Sequence, residues 1–140
     1  MDRLTKTLGS QMNIRKLKVL LSVAIFTIFA TANADDVDPV VLPGTWSVDL
    51  RPTPDSEPYL QTLEINKVQG DRFSGSFYGT SFEDGIINSN WGVVYFAFTT
   101  ADARTSYHHS GYLDGSNIFG RTHAPEREML SIWTGKKAGD

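Results

Sequence analysis

Two adjacent histidines, His108 and His109, are the best candidates for chemistry in this sequence. Successive side chains of a β-strand point to opposite faces, so the pair places one imidazole on each face and cannot hold one metal ion. A histidine acts as a base only with a nucleophile or an orienting acid within hydrogen-bond reach. The same-face neighbours of His109 are Tyr107 and Gly111, and neither is an acid. The sequence therefore favours a hydrogen-bonded core histidine, with an isomerase or hydrolase that uses His109 as an open alternative.

Other patterns that carry chemistry are missing from the sequence or indicate solvated charge. The chain has no cysteine, no Gly-x-Ser-x-Gly elbow, no His-Glu-x-x-His pattern and no phosphate-binding glycine loop. Paired carboxylates occur at Asp35-Asp36, in a predicted frayed terminus, and at Glu83-Asp84, in a predicted turn. His123, at the predicted end of a strand, is expected to be exposed. We therefore assign no catalytic residue and predict no metal site and no cofactor.

The first part of the sequence has the pattern of an export signal. Basic residues within positions 3–18 precede the stretch 19–30, which contains no charge. This stretch is shorter than the ~20 apolar residues of a membrane-spanning helix, and it leads into the small-x-small pattern at 32–34. We expect residues 1–34 to be a cleaved signal peptide, which would leave no membrane anchor and place the mature protein in the periplasm or outside the cell. An uncleaved anchor is the alternative.

Composition and charge narrow the class of protein. The 140 residues include 13 Lys and Arg against 16 Asp and Glu, and removal of residues 1–34 would leave eight basic and fifteen acidic residues, a net charge of −7. Nucleic acid and anionic lipid are bound through clustered cations, so we expect neither as a partner. The aromatic content of 11% and the charged fraction of 21% are typical of a folded chain, and this length accommodates one domain.

The rest of the sequence predicts an all-β domain. Short aromatic and β-branched runs alternate with turn residues, and no stretch has the apolar spacing of a helix. The predicted strands are 45–50, 59–68, 72–80, 86–87, 91–100, 105–113, 117–123 and 129–134, within a domain at 44–135 that follows an extended segment at 35–43 and precedes a tail at 136–140. The short connections favour a closed meander over a sandwich. The predicted fold is therefore an eight-stranded antiparallel up-and-down β-barrel.

Several short motifs resemble the small up-and-down barrels of the avidin and streptavidin kind. They are Gly44-Thr45-Trp46, Phe73-Ser74-Gly75-Ser76-Phe77, Ser110-Gly111-Tyr112 with Leu113-Asp114-Gly115, and Trp133-Thr134-Gly135. The Gly-x-Trp start also resembles the lipocalins, which places the likeness among calycin-type barrels. The resemblance implies the barrel and not a biotin site. Val48 stands where the biotin-binding proteins place an asparagine, and His109 stands where they place a stacking tryptophan.

A barrel of eight strands is filled by side chains or holds one small ligand. With Trp46 and Val48 turned inward, Gly75 and Gly79 are expected to leave space in the interior. An apolar pocket with a few polar anchors is the usual composition of a small-molecule site. The predicted ligand-binding residues are Trp46, Phe77, Tyr95, Tyr107, His109 and Trp133. We expect non-catalytic binding of a small, largely apolar molecule, with a fully packed barrel as the alternative.

The predicted fifth strand has apolar residues on both of its faces, whereas the outer face of a monomeric barrel should be polar. We therefore predict that Val94, Phe96 and Phe98 pack against another subunit and that the protein is a homo-oligomer. Coverage of this patch by residues 35–43 is one alternative. A function from a different class is also open, namely a protein-interaction module, such as a protease-inhibitor-like barrel that inserts residues 35–43 into its partner.

Overall fold

A computed structural model describes residues 38–139. The predicted signal peptide lies outside the described residues. The eight strands are β1 (Gly44–Asp49), β2 (Leu60–Gln69), β3 (Arg72–Phe77), β4 (Thr80–Asn88), β5 (Tyr95–Ala101), β6 (Ser106–Asp114), β7 (Asn117–Ala124) and β8 (Met129–Lys137). Each strand pairs antiparallel with its neighbours in sequence, and β1 pairs with β8 to close the barrel. The predicted fold is confirmed. Within residues 38–139, no helix has the length and apolar character needed to cross a membrane.

Alternation of apolar and polar residues decides which side chains fill the barrel. On β3, Phe73 and Phe77 are buried, whereas Ser74 and Ser76, which lie between them, are partly exposed. Phe98 of β5 meets the rings of Phe73 and Phe77 edge-on, with ring centroids 5.9 Å and 5.8 Å apart. Edge-to-face pairs of this kind stabilise a core beyond the area they bury. The centre of the barrel is therefore an aromatic cluster.

One end of the barrel is closed by the residues that precede β1. A single 3₁₀ turn, Pro39–Val41, leads to Leu42, whose side chain is fully buried and whose carbonyl accepts a hydrogen bond from Trp46 Nε1 at 2.9 Å. Lys137 Nζ donates to the carbonyl of Val41 at 2.9 Å and lies 5.4 Å from the Trp46 ring centre. The segment predicted to be extended is therefore folded into the closed end from Pro39 onward, and Leu42 is not available as part of an inserted arm.

The main difference from the predicted strands lies at Tyr78-Gly79, which form a two-residue turn between β3 and β4. Phe77 pairs with Thr80 across this turn, and Tyr78 and Gly79 have φ values of 52° and 77°. Two-residue turns with both central φ values positive favour asparagine and glycine, so a tyrosine in the first position conceals the turn in the sequence. The predicted third strand was too long, and the predicted fourth strand was too short.

The interior glycines make room for neighbouring groups and do not leave empty space. A Cβ atom on Gly75 would lie 1.9 Å from the carbonyl oxygen of Glu64, and one on Gly120 would lie 2.2 Å from the Trp133 ring. Gly79 is in the turn, with nothing within 4 Å of its Cβ position. The expectation that Gly75 and Gly79 leave space in the interior was wrong, because Gly75 lies against the backbone of a neighbouring strand and Gly79 lies in a turn.

Candidate functional site

A cavity of about 480 Å³ opens at the end of the barrel where β1, β3, β5 and β7 finish, opposite the end closed by Leu42. This volume lies within the roughly 300–1,000 Å³ typical of small-molecule sites. Its wall is mainly apolar, and hydroxyl groups, one imidazole and one carboxylate interrupt the apolar surface. The lining side chains are Leu50, Tyr59, Phe77, Tyr78, Ala101, Tyr107 and Met129, with Thr80, Thr100, Asp102, His109, Thr122 and Ser131 as the polar members.

The structure brings together part of the predicted ligand-binding set. Phe77, Tyr107 and His109 line the cavity. Trp133 lies behind it, with its ring centroid 5.8 Å from that of Phe77. Trp46 faces inward as predicted, but it is buried at the closed end. The prediction that Tyr95 faces the interior was wrong, because its side chain is 45% exposed on the outer surface.

The residues predicted to form a subunit interface are core residues. Val94, Phe96 and Phe98 are 1%, 3% and 4% exposed, so their assignment to the outer face was wrong. When both the odd-numbered and the even-numbered residues of a strand are apolar, the sequence does not indicate which set points inward. Pairing with the neighbouring strand decides it here, because Gly111 of β6 leaves the space that the Phe96 ring fills. Self-association stays a prediction. The exposed large hydrophobic residues of β5, β6 and β8 that it would use are Tyr95, Tyr112, Leu130 and Ile132.

His109 is buried at the inner side of the cavity, and both of its ring nitrogens are hydrogen-bonded. Nε2 lies 2.9 Å from Thr100 Oγ1, and Nδ1 lies 2.8 Å from Thr122 Oγ1. The Phe98 ring stacks on the imidazole with centroids 4.5 Å apart, and Phe77 meets it edge-on at 4.9 Å. Burial, with a further effect of the neighbouring histidine at 108, lowers the pKa of His109 to about 4. His109 is therefore neutral at pH 7 and is held as the hydrogen-bonded core histidine that the sequence favoured.

The acid nearest to Tyr107 is Asp102, in the turn between β5 and β6. The Tyr107 hydroxyl donates to Asp102 Oδ2 at 2.9 Å, and Arg127 Nη2 donates to the same oxygen at 2.8 Å. The backbone N–H of Arg104 and then the Tyr107 hydroxyl lower the pKa of Asp102, whereas loss of hydration and the bond to Asp102 raise the pKa of Tyr107. Among the described residues, no carboxylate hydrogen-bonds to His109. Asp102 therefore links Tyr107 to Arg127 at the rim of the cavity.

A pair of tyrosines that sequence reasoning missed stands at the mouth of the cavity. The hydroxyl groups of Tyr59 and Tyr78 are hydrogen-bonded to each other, and their rings meet edge-on with centroids 6.1 Å apart. The backbone N–H of Tyr59 donates to Asp49 Oδ1 at 3.2 Å. A hydrogen bond from the Arg51 guanidinium lowers the pKa of Asp49 to about 2, so this anchor is charged at neutral pH. The sequence signal for the position of Tyr78 is Gly79, because glycine favours the positive φ that the second residue of this two-residue turn adopts.

Asparagine tolerates the left-handed backbone that Tyr78 adopts with a φ of 52°, whereas alanine does not. We expect the free energy of unfolding of Tyr78→Asn to exceed that of Tyr78→Ala by about 1 kcal/mol, since both variants lose the contacts with Tyr59 and the left-handed conformation costs an ordinary residue roughly 1–2 kcal/mol. Urea unfolding followed by circular dichroism measures it. Tyr78→Ala is the control, because it removes the ring and keeps the strain. An asparagine variant no more stable than the alanine variant would contradict the assignment of strain.

A second, outer cleft of about 410 Å³ lies where β4 and β5 diverge after only three paired positions. His108 and His123 are cross-strand partners in it, and His108 Nδ1 lies 3.3 Å from Thr99 Oγ1. The predictions that His108 and His109 face opposite ways and that His123 is exposed are confirmed. Asp84 also lines this cleft, exposed on β4 and not in a turn as predicted. In the part of the chain described, no group of three or more His, Asp and Glu side chains is placed to hold a metal ion.

Comparison of the chain with protein-family models, with curated proteins and with solved structures finds no match in any of the three. The eight-stranded closed antiparallel barrel fits a calycin-like fold in general. Folds of this kind carry many unrelated functions, so function has to be inferred from the geometry of the cavity.

Proposed function

We propose that the open end of this barrel binds a small, largely apolar molecule and releases it unchanged. The observation that carries this proposal is the mainly apolar cavity of about 480 Å³, whose imidazole is hydrogen-bonded on both nitrogens. A general base needs a nitrogen within reach of the substrate and a pKa near the working pH. His109 has a pKa of about 4 and no free nitrogen. Binding therefore accounts for the site better than the isomerase or hydrolase alternative.

The charges at the mouth support an uncharged ligand. Asp102 and Arg127 are paired with each other at 2.8 Å, so neither offers an unpaired charge to a molecule that enters. Asp49 and Arg51 form a second such pair beside Tyr59. The tyrosine rings at the rim add apolar contact area together with hydroxyl groups that stay close to water.

Tryptophan fluorescence tests the proposal, because Trp133 lies directly behind the cavity wall. Trp91 is 77% exposed and would contribute background emission, so the measurement uses the Trp91→Phe protein. Titration with a panel of uncharged apolar probes should give a saturable change in emission with at least some members of the panel. The absence of a saturable change with every member would contradict the proposed function.

Filling the cavity should abolish most of this binding. Ser131 lines the cavity on β8, and a phenylalanine there would occupy the volume that the ligand needs. We expect Ser131→Phe to weaken probe binding by about tenfold or more, or ~1.4 kcal/mol. Thr134→Phe is the matched control, since Thr134 is on the same strand with its side chain exposed on the outer face. Equal affinities in the two variants, each shown to be folded by circular dichroism, would argue against the cavity as the binding site.

Export and the closer likeness to avidin-type or lipocalin-type barrels belong to the same proposal. The charge-free stretch at 19–30 and the small-x-small pattern at 32–34 support a mature protein that begins at Asp35 and acts in the periplasm or outside the cell. The closed eight-stranded meander with Trp46 turned inward supports the likeness carried by Gly44-Thr45-Trp46. The mass of the protein recovered from its own host tests the cleavage site.

A further inference from the structure

A chain of hydrogen bonds connects the core to the cavity. Trp133 Nε1 donates to Thr122 Oγ1 at 3.0 Å, Thr122 Oγ1 lies 2.8 Å from His109 Nδ1, and His109 Nε2 lies 2.9 Å from Thr100 Oγ1. All four side chains are buried, with at most 7% of any of them exposed. Thr100, His109 and Thr122 line the cavity, whereas Trp133 does not. The chain therefore begins at an indole behind the wall and ends at hydroxyl groups that face the cavity.

A count of the polar hydrogens in this series of hydrogen bonds shows that one of its donors has no acceptor among residues 38–139. The neutral imidazole, the indole and the two hydroxyl groups together carry four polar hydrogens, and only three contacts link them. An indole N–H is a donor only, so the contact between Trp133 and Thr122 always uses the indole hydrogen. One hydroxyl hydrogen is left over, on Thr100 if the imidazole proton is on Nε2 and on Thr122 if it is on Nδ1.

The number of contacts at each oxygen favours Thr100 as the free donor. Thr122 Oγ1 has two partners, Trp133 and His109, and its hydrogen is satisfied when it is donated to Nδ1 of His109. Thr100 Oγ1 has one partner, so its hydrogen is free to point into the cavity. In this arrangement each hydrogen bond is donated in the direction from the Trp133 indole toward the cavity. The hydrogen without a protein acceptor is then the one that faces the cavity.

We infer that the cavity selects apolar molecules that carry a hydrogen-bond acceptor, such as a carbonyl oxygen, which receives the hydrogen of Thr100. This inference rests on the proposed function and adds the chemical class of the ligand. A pure hydrocarbon would displace the water that can satisfy Thr100 and would leave a buried donor unpaired, which is unfavourable. Thr80 and Ser131 also line the cavity, but they are only partly buried and can keep their water.

The test compares two probes of nearly the same shape, 2-acetylnaphthalene with its carbonyl oxygen and 2-isopropenylnaphthalene without it, by calorimetric titration. Thr100→Val should weaken binding of the ketone by about tenfold relative to the alkene, which is the loss expected for one buried hydrogen bond. Thr100→Ser keeps a hydroxyl group and should keep the parent protein's preference. An unchanged ratio of the two affinities in Thr100→Val would overturn the inference and leave the proposed function standing. Binding of other panel members by a parent protein that does not bind the ketone would overturn the inference alone. Binding of no probe, either in the panel or in this pair, would contradict the proposed function and the inference with it.

Nitrogen NMR of His109 in the free protein gives a readout that does not depend on a ligand. The inference requires the imidazole proton on Nε2 at pH 7, and a proton on Nδ1 would overturn it by moving the free donor to Thr122. The Trp133→Phe variant removes the indole donor that orients the chain. We expect a mixture of the two tautomers in that variant, and an unchanged single tautomer would show that the indole does not set the direction.

Discussion

The Gly75→Ala variant should unfold at a much lower urea concentration than the parent protein. The added methyl group would lie 1.9 Å from the carbonyl oxygen of Glu64 and 3.1 Å from the Phe82 ring. The first obstacle is the backbone of the neighbouring strand, which cannot rotate away as a side chain can. Overpacking of a core usually costs about 1–3 kcal/mol, and a backbone obstacle places this variant at about 3 kcal/mol. Chemical unfolding followed by circular dichroism measures the loss.

Gly79→Ala is the matched control, because this glycine follows four residues later and has open space around its Cβ position. Its cost comes only from the left-handed backbone at a φ of 77°, roughly 1–2 kcal/mol. The two substitutions add the same atom, so the difference between them measures the close approach of β2 to β3. Equal losses in the two variants would contradict this account of Gly75.

The fold could be predicted because its main signals are local. Alternation on β3, which turns Phe73 and Phe77 inward, is visible in a few residues, and the structure confirms it. Asp114-Gly115 likewise indicates a hairpin that joins β6 to β7. The observed pairing confirms the hairpin and places its two-residue turn at Gly115-Ser116, because Asp114 pairs with Asn117. The turn at Tyr78-Gly79 could not be predicted, since a tyrosine occupies the position where asparagine would mark it. Contacts across the strands hold Tyr78 there, including the hydrogen bond from its N–H to the carbonyl of Thr62.

The candidate site was predicted only in part, because its remaining features depend on which strands become neighbours. Nothing near His109 in the sequence indicates that Thr100 and Thr122 lie on either side of it, nine residues before and 13 residues after. The rim depends on the same kind of pairing, since Arg127 reaches Asp102 from 25 residues away. The inward orientation of Phe96 depends on Gly111, its partner on β6, because the apolar run by itself does not indicate which of its two faces turns inward. Residue types identify the candidates, and strand register decides their roles.

Acidification from pH 6.5 to pH 4 should destabilise the barrel by about 3 kcal/mol through His109 alone. The pKa of His109 is about 4 in the folded protein and near 6.5 when the chain is unfolded. Between these values the unfolded chain binds the extra proton, so the free energy of unfolding falls as the pH falls. Most of the loss is reached by pH 4, and the remainder follows below pH 4 as the folded protein also binds the proton. Urea unfolding at intervals across this pH range measures the slope.

His109→Gln isolates this contribution, because glutamine can still hydrogen-bond to Thr100 and Thr122 but never acquires a charge. The pH dependence of stability between pH 6.5 and pH 4 should therefore be steeper in the parent protein than in the variant. Asp49, with a pKa of about 2, loses its stabilising charge only at lower pH and does so in both proteins. Parallel curves in this range would mean that His109 keeps an ordinary pKa inside the barrel. An imidazole that can be protonated near neutral pH would favour the isomerase or hydrolase alternative over simple binding, so this measurement discriminates between the two classes of function.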